Sequence, residues 1–143
     1  MATYEDRAKL LWCLSGSGLG TTISAAGNSG NWGDTPTDPF PSSKISLSPA
    51  SDVGLFVFIG AAPTGTTPSL IVQLDLFDNA GNLFPQALKT AAITAAGATA
   101  VYAGVRGGSS ANYVVFPAYG RVSWTLTGTT PVFPQAEISL WGR

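Results

Sequence analysis

The chain of 143 residues contains no histidine and one cysteine. Without histidine, the commonest general base and the commonest metal ligand are missing. Ser-His-Asp and Cys-His nucleophile arrangements are excluded with it. A single cysteine, Cys13, excludes an internal disulfide and a cysteine-based zinc site. Flanked by Trp12 and Leu14, it reads as a small packed hydrophobe rather than a reactive thiol. Charge is also scarce. Only 10% of residues are charged, against about 25% in an average soluble domain. The net charge is −1, and the seven Lys and Arg are scattered. They make no basic footprint for a phosphate backbone, so nucleic acid is not an expected partner. No apolar run approaches the roughly 20 residues that span a membrane, so a membrane is not expected either. Glu5 and Asp6 stand where a signal peptide carries positive charge. Together with the lack of disulfides, this predicts folding in a reducing cytoplasm.

In place of charge the chain carries 17 Gly, 15 Thr and 14 Ser. Such a surface suits a neutral β-domain, or one covered by other subunits, because interface cores are depleted in charge. The clearest structural signal is residues 69–77. Leu70, Val72, Leu74 and Leu76 alternate with Ser69, Ile71, Gln73, Asp75 and Phe77. A period of two predicts a strand with one apolar face directed to a core. Residues 78–82, Asp-Asn-Ala-Gly-Asn, supply turn chemistry after it.

Around that strand, residues 44–143 read as seven to nine short strands with turns every 8–12 residues. The spacing predicts an all-β fold, a single antiparallel β-sandwich of jelly-roll or Greek-key type. Residues 53–59 are apolar at alternate positions on both faces: Val53, Leu55, Val57 and Ile59 on one, Phe56 and Phe58 on the other. A strand of that kind is expected to be covered on both sides, by the N-terminal arm or by another subunit. Pro85 places residues 83–88 at a sheet edge or in an extended connection. Residues 91–94 and 98–105 read as two strands, 60–68 as a loop, 121–127 as a strand, 128–134 as a turn, and 136–141 as the last strand. No internal repeat of fixed period is evident.

Residues 1–43 read differently, as an extended N-terminal arm ahead of the sandwich domain at 44–143. Thr3 and Asp6 resemble a capping pair, and Ala8, Leu11 and Trp12 a helical stripe, which predicts a short helix within residues 1–14. Residues 15–31 are rich in Gly, Ser, Ala and Thr, and residues 32–41 hold three prolines. Such a segment buries little by itself. Its aromatics, Trp12, Trp32 and Phe40, favour an arm that orders against a neighbour.

Motifs with chemistry are few. The glycines at 16, 18 and 20 lack the strand and helix that a phosphate-binding loop requires. Asp34 with Asp38, and Asp75 with Asp78, are the carboxylate pairs, and neither sits on a suitable platform for paired acid–base work. Residues 78–82 lack the spaced ligands of a calcium loop and read as a hairpin turn. Trp32, Tyr102, Tyr113, Tyr119 and Trp141 are available as sugar-stacking platforms, since each pairs an apolar face with a polar tip. Arg121, opening a strong strand, suits an ion pair. No enzyme activity and no cofactor are expected.

An ordered series of segments carries a resemblance: Thr67-Pro-Ser-Leu-Ile-Val-Gln-Leu74, a turn with Gly81, Ala92-Ile-Thr-Ala-Ala-Gly-Ala-Thr99, Phe116-Pro117 leading to Arg121-Val122, and a closing strand. Over residues 45–143 the chain resembles the small β-sandwich decoration (cement) proteins of tailed bacteriophage capsids. The resemblance implies a structural virion protein, made in the host cytoplasm and seated on the outer capsid surface. It implies the major capsid protein as partner, and self-association, commonly as a homotrimer. A carbohydrate-binding module of a virion fibre or tail, or another tail or head-completion part, is the alternative. The expected partner contacts are Leu11, Trp12, Trp32 and Phe40 in the arm, and Phe56 and Phe58 in the sandwich. On this reading, deleting residues 1–40 leaves a folded domain that attaches less tightly.

Overall fold

The computed structural model describes residues 8–14, 20–30, 44–47, 50–104 and 119–143. They form nine strands: β1 (Lys9–Cys13), β2 (Thr21–Ile23), β3 (Gly27–Asn28), β4 (Ile45–Ser46), β5 (Asp52–Ile59), β6 (Thr64–Phe77), β7 (Leu83–Lys89), β8 (Gly97–Gly104) and β9 (Tyr119–Gly142). The fold is all-β and antiparallel. Along the main path the strand order is β7-β6-β9-β5-β8. The first half of β9 pairs with β6, β3 and β4, and its second half with β5, β1 and β2.

Both halves turn their apolar faces into one core. Leu70, Val72 and Leu74 of β6, Leu55 of β5, and Val122, Phe133, Ile138 and Leu140 of β9 are completely buried within it. Each such side chain contributes about 1.5–3 kcal/mol by leaving water. The leucine/valine face of β6 therefore lies where its alternation predicts. Pro85 lies in β7, at the end of the strand order, where its missing N–H costs no ladder bond. Residues 78–82 make the hairpin turn between β6 and β7. Asp78 closes it by accepting hydrogen bonds from the Ala80 and Asn82 amides and the Asn82 side chain. The Asn82 side chain, then its amide, hold the Asp78 carboxyl below its usual 3.8. The turn's contribution is thus fully present above the ordinary aspartate range and is lost as pH falls through the lowered value.

Several expectations are overturned. No helix forms at residues 9–13. They are β1, hydrogen-bonded along β9, because that pairing seats Trp12 in the core, stacked on Trp124 at 6.3 Å between centroids. Residues 128–134 are not a turn but the middle of β9, and β6 begins at Thr64 inside the expected loop. The cause is a duplicated pentapeptide, Thr-Gly-Thr-Thr-Pro, at 64–68 and 127–131. The two copies pair antiparallel about Thr66↔Thr129 and bulge alike. Gly65 and Gly128 adopt φ of 109° and 108°, and Thr67 and Thr130 φ of 48° and 47°. A bulge absorbs the extra residue and lets the strand bend without ending. Residues 91–94 make only an isolated bridge, Leu70↔Ile93. The described part of the arm does not cover Phe56 and Phe58, which leaves the expectation of cover by another subunit as it stood. That part lies edge-on to β9, within the sheet.

Asp75, on the other face of β6, is fully buried instead of outward. It accepts hydrogen bonds from Arg121 Nε at 3.0 Å, Ser123 Oγ at 2.9 Å, Gln73 Nε2 at 2.7 Å and the Gln86 amide at 3.0 Å. Gln86 stands at φ 61° in the β7 bulge. One carboxylate therefore ties β6 to β9 and fixes the irregularity of β7. Asp75→Ala is expected to cost about 3 kcal/mol in urea unfolding, the low end for a broken buried pair because Arg121 keeps 18% of its side chain exposed. A loss below about 1 kcal/mol, the scale of a surface pair, would refute that role. Because Trp12 and Ile23 are core residues, deleting residues 1–40 is now expected to abolish the cooperative thermal transition. A truncated chain that melts at the same temperature as the full one would contradict this.

Candidate functional site

The face of β8, β5 and β9 turned away from the core carries the aromatic residues. Strand pairing aligns them in rows. Gly54 lies between Tyr102 and Trp141, Phe56 between Ala100 and Ser139, and Phe58 between Ala98 and Glu137. These rows follow from period-two alternation: Leu55 and Val57 point inward, so Gly54, Phe56 and Phe58 point outward. Phe56, Phe58 and Tyr102 are 37%, 42% and 58% exposed, which makes this a contiguous apolar patch rather than isolated hydrophobes.

The rings are ordered by one another. Tyr102 meets Phe56 edge to face, with centroids 5.6 Å apart and an interplanar angle of 79°. Both lean over Gly54, where an added Cβ would lie 2.8 Å from the Phe56 ring. Trp141 donates its indole N–H to Ser139 Oγ at 3.0 Å, which fixes its polar edge. A cleft of about 450 Å³ opens between these groups, lined by Gly54, Phe56, Tyr102, Trp141, Asp52 and Arg143 among others. Arg143 Nε lies 3.2 Å from Asp52 Oδ2. The Arg143 carbonyl also accepts from the Ser51 and Asp52 amides. The cleft thus has aromatic walls and an ion pair among its lining groups, and its size is within the range of small-ligand sites. A second hollow runs along Phe56, Phe58, Ala98, Ala100 and Glu137. These groups offer ring stacking, apolar contact and a donor–acceptor pair.

The expected contact residues separate into distinct environments. Phe56 and Phe58 stand on this face. Trp12 is buried against Trp124, and half-buried Leu11 packs on the core. Trp32 and Phe40 lie outside the described residues, as do Tyr113, Asp34 and Asp38. Tyr119, the Lys44 ammonium 4.7 Å above its ring, is at the other end of β9. Tyr102 and Trp141, two of the scattered platform candidates, are brought to one cleft. Sequence reasoning missed their grouping, because it depends on β5 pairing with β8 on one side and β9 on the other. The alternation of Phe56 and Phe58 was the available signal. Among the described residues no group of three His, Cys, Asp or Glu side chains is placed to hold a metal ion.

Compared with protein-family models, curated proteins and solved structures, the chain matches none. Phe58→Ser is expected to leave the unfolding free energy within about 0.5 kcal/mol, as for a surface substitution, while reducing binding of an apolar fluorescent dye. A large loss of stability would mean that Phe58 belongs to the folding core.

Proposed function

We propose that this is a structural binding protein of a bacteriophage virion, a decoration protein that seats on the outer capsid surface and braces neighbouring major capsid subunits. The observation that carries the reading is the outward aromatic face of β5, with Phe56 and Phe58 exposed in a chain of which only 10% is charged. Aromatic anchors in a charge-poor patch are what a protein partner covers. The resemblance over residues 45–143 supplies the identity of that partner and the expectation of self-association. Many weak contacts repeated over a shell would add through multivalency. Particles stripped of the protein are expected to rupture at a lower temperature, and adding it back should restore the original value. The Phe56→Ser/Phe58→Ser variant should restore less. Shells indifferent to its removal would end the proposal.

A second reading has its own support. Tyr102 and Trp141 stand either side of Gly54, beside the Asp52–Arg143 pair. Aromatic faces stack on the C–H faces of a sugar, and a carboxylate with a guanidinium can bind its hydroxyls. A carbohydrate-binding module of a fibre or tail would use that cleft. Retention on a glycan array that is lost in Tyr102→Ala and Trp141→Ala would favour it, and no retention would discard it.

A further inference from the structure

The edges of the sheet are treated unequally. A strand edge presents unpaired N–H and C=O groups to any other strand, and proteins blunt such edges with charge, proline, bulges or shortness. β7 carries Pro85, Lys89 and a bulge with Gln86 at φ 61°. β1 has five residues, begins at Lys9 and shifts register between Leu10 and Trp12. β2 has three residues, and β3 and β4 have two each. β8 has none of these devices. Its eight residues, Gly97-Ala-Thr-Ala-Val-Tyr-Ala-Gly104, hold no charge and no proline. They pair with β5 in unbroken register from Asp52↔Gly104 to Ile59↔Gly97. Among the described residues no strand is hydrogen-bonded to its far side. Nothing stands within 4 Å of a Cβ built on Gly97. Ala98, Ala100 and Tyr102 are exposed on its outward face.

We propose that β8 pairs edge to edge with β8 of a second copy of this chain, antiparallel about a two-fold axis perpendicular to the sheet. In an antiparallel pair, residues opposite each other share a face. With the axis at Ala100, Ala98 of each copy lies opposite Tyr102 of the other, and Thr99 opposite Val101. The small alanines give the tyrosine ring space, and no like charges meet, so the strand is complementary to itself. The contact is isologous. It consumes the β8 edge of both copies and closes on two, so that pairing there does not propagate into a fibre. The pairing is a two-fold association, and differs from the homotrimer that the resemblance implies. It is tested on the isolated chain, so its failure leaves the capsid reading untouched.

Sedimentation equilibrium over a dilution series should find a species of twice 14.7 kDa that dissociates on dilution. Ala98→Lys/Ala100→Lys changes two exposed positions: the lysines at 100 meet each other at the axis, and each lysine at 98 takes the small place opposite Tyr102 of the other copy. That variant should run as a monomer, with the thermal midpoint that the native chain shows when diluted to a monomer. If the double variant fails to fold, hydrogen exchange on the native chain decides: amides of β8 should exchange more slowly in concentrated than in dilute protein, and those of β7 should not. A monomer at every concentration, a dimer that survives the lysines, a mass of three chains, or concentration-independent exchange in β8 would each overturn the pairing.

Discussion

Six of the eight other strands hydrogen-bond to β9. This one 24-residue strand carries the sheet from its β6 half to its β5 half. It is long enough to do so only because its middle bends without ending. The bend sits where Gly128 and Thr130 take positive φ against Gly65 and Thr67 of β6. At Gly65 an added Cβ would lie 2.6 Å from the Thr130 carbonyl oxygen, and at Gly128 equally close to those of Thr66 and Thr67. Glycine is required at both places by close approach as well as by φ. A threonine at positive φ is disfavoured for its branched Cβ, at a cost of order 1–3 kcal/mol. The surrounding ladders must offset that strain at two sites.

The buried Asp75 performs a complementary task. A carboxylate taken out of water needs partners for its lone pairs, and the four donors around Asp75 come from β6, β7 and β9. Its requirement for pairing thus selects one register between these strands. The core sets which faces turn inward, and this polar cluster helps set how the strands slide along one another.

The legibility of the fold followed the range of the interactions involved. Alternation is local, so the core face of β6 and the placement of Phe56 and Phe58 on the face opposite Leu55 and Val57 could be read directly. Pro85 marked an edge for an equally local reason. The helix expected at the start failed because a seat for Trp12 against Trp124, more than a hundred residues away, outweighs a capping-like pair and a short apolar stripe. The turn expected at 128–134 failed because Gly, Thr and Pro chemistry serves bulges as well as turns. The duplicated Thr-Gly-Thr-Thr-Pro was the one signal that its two copies face each other. The cleft was the least legible feature. Gly54, Tyr102 and Trp141 are far apart in sequence, and nothing local to any of them reports the register that aligns them.

The position of β9 in the chain order bears on the order of assembly. Synthesis reaches it after the eight other strands, yet β1 to β4 are paired within the sheet only to β9. Until it emerges, they have no ladder to join, and β5 and β6 each lack one neighbour. The nascent chain can form the β6–β7 hairpin and the β5–β8 pair, but these two units have no shared strand. Their union waits on contacts of large sequence separation, whose loop-closure entropy must be met before they are rewarded. A chain built this way folds late and all at once, with its apolar strands awaiting a common partner.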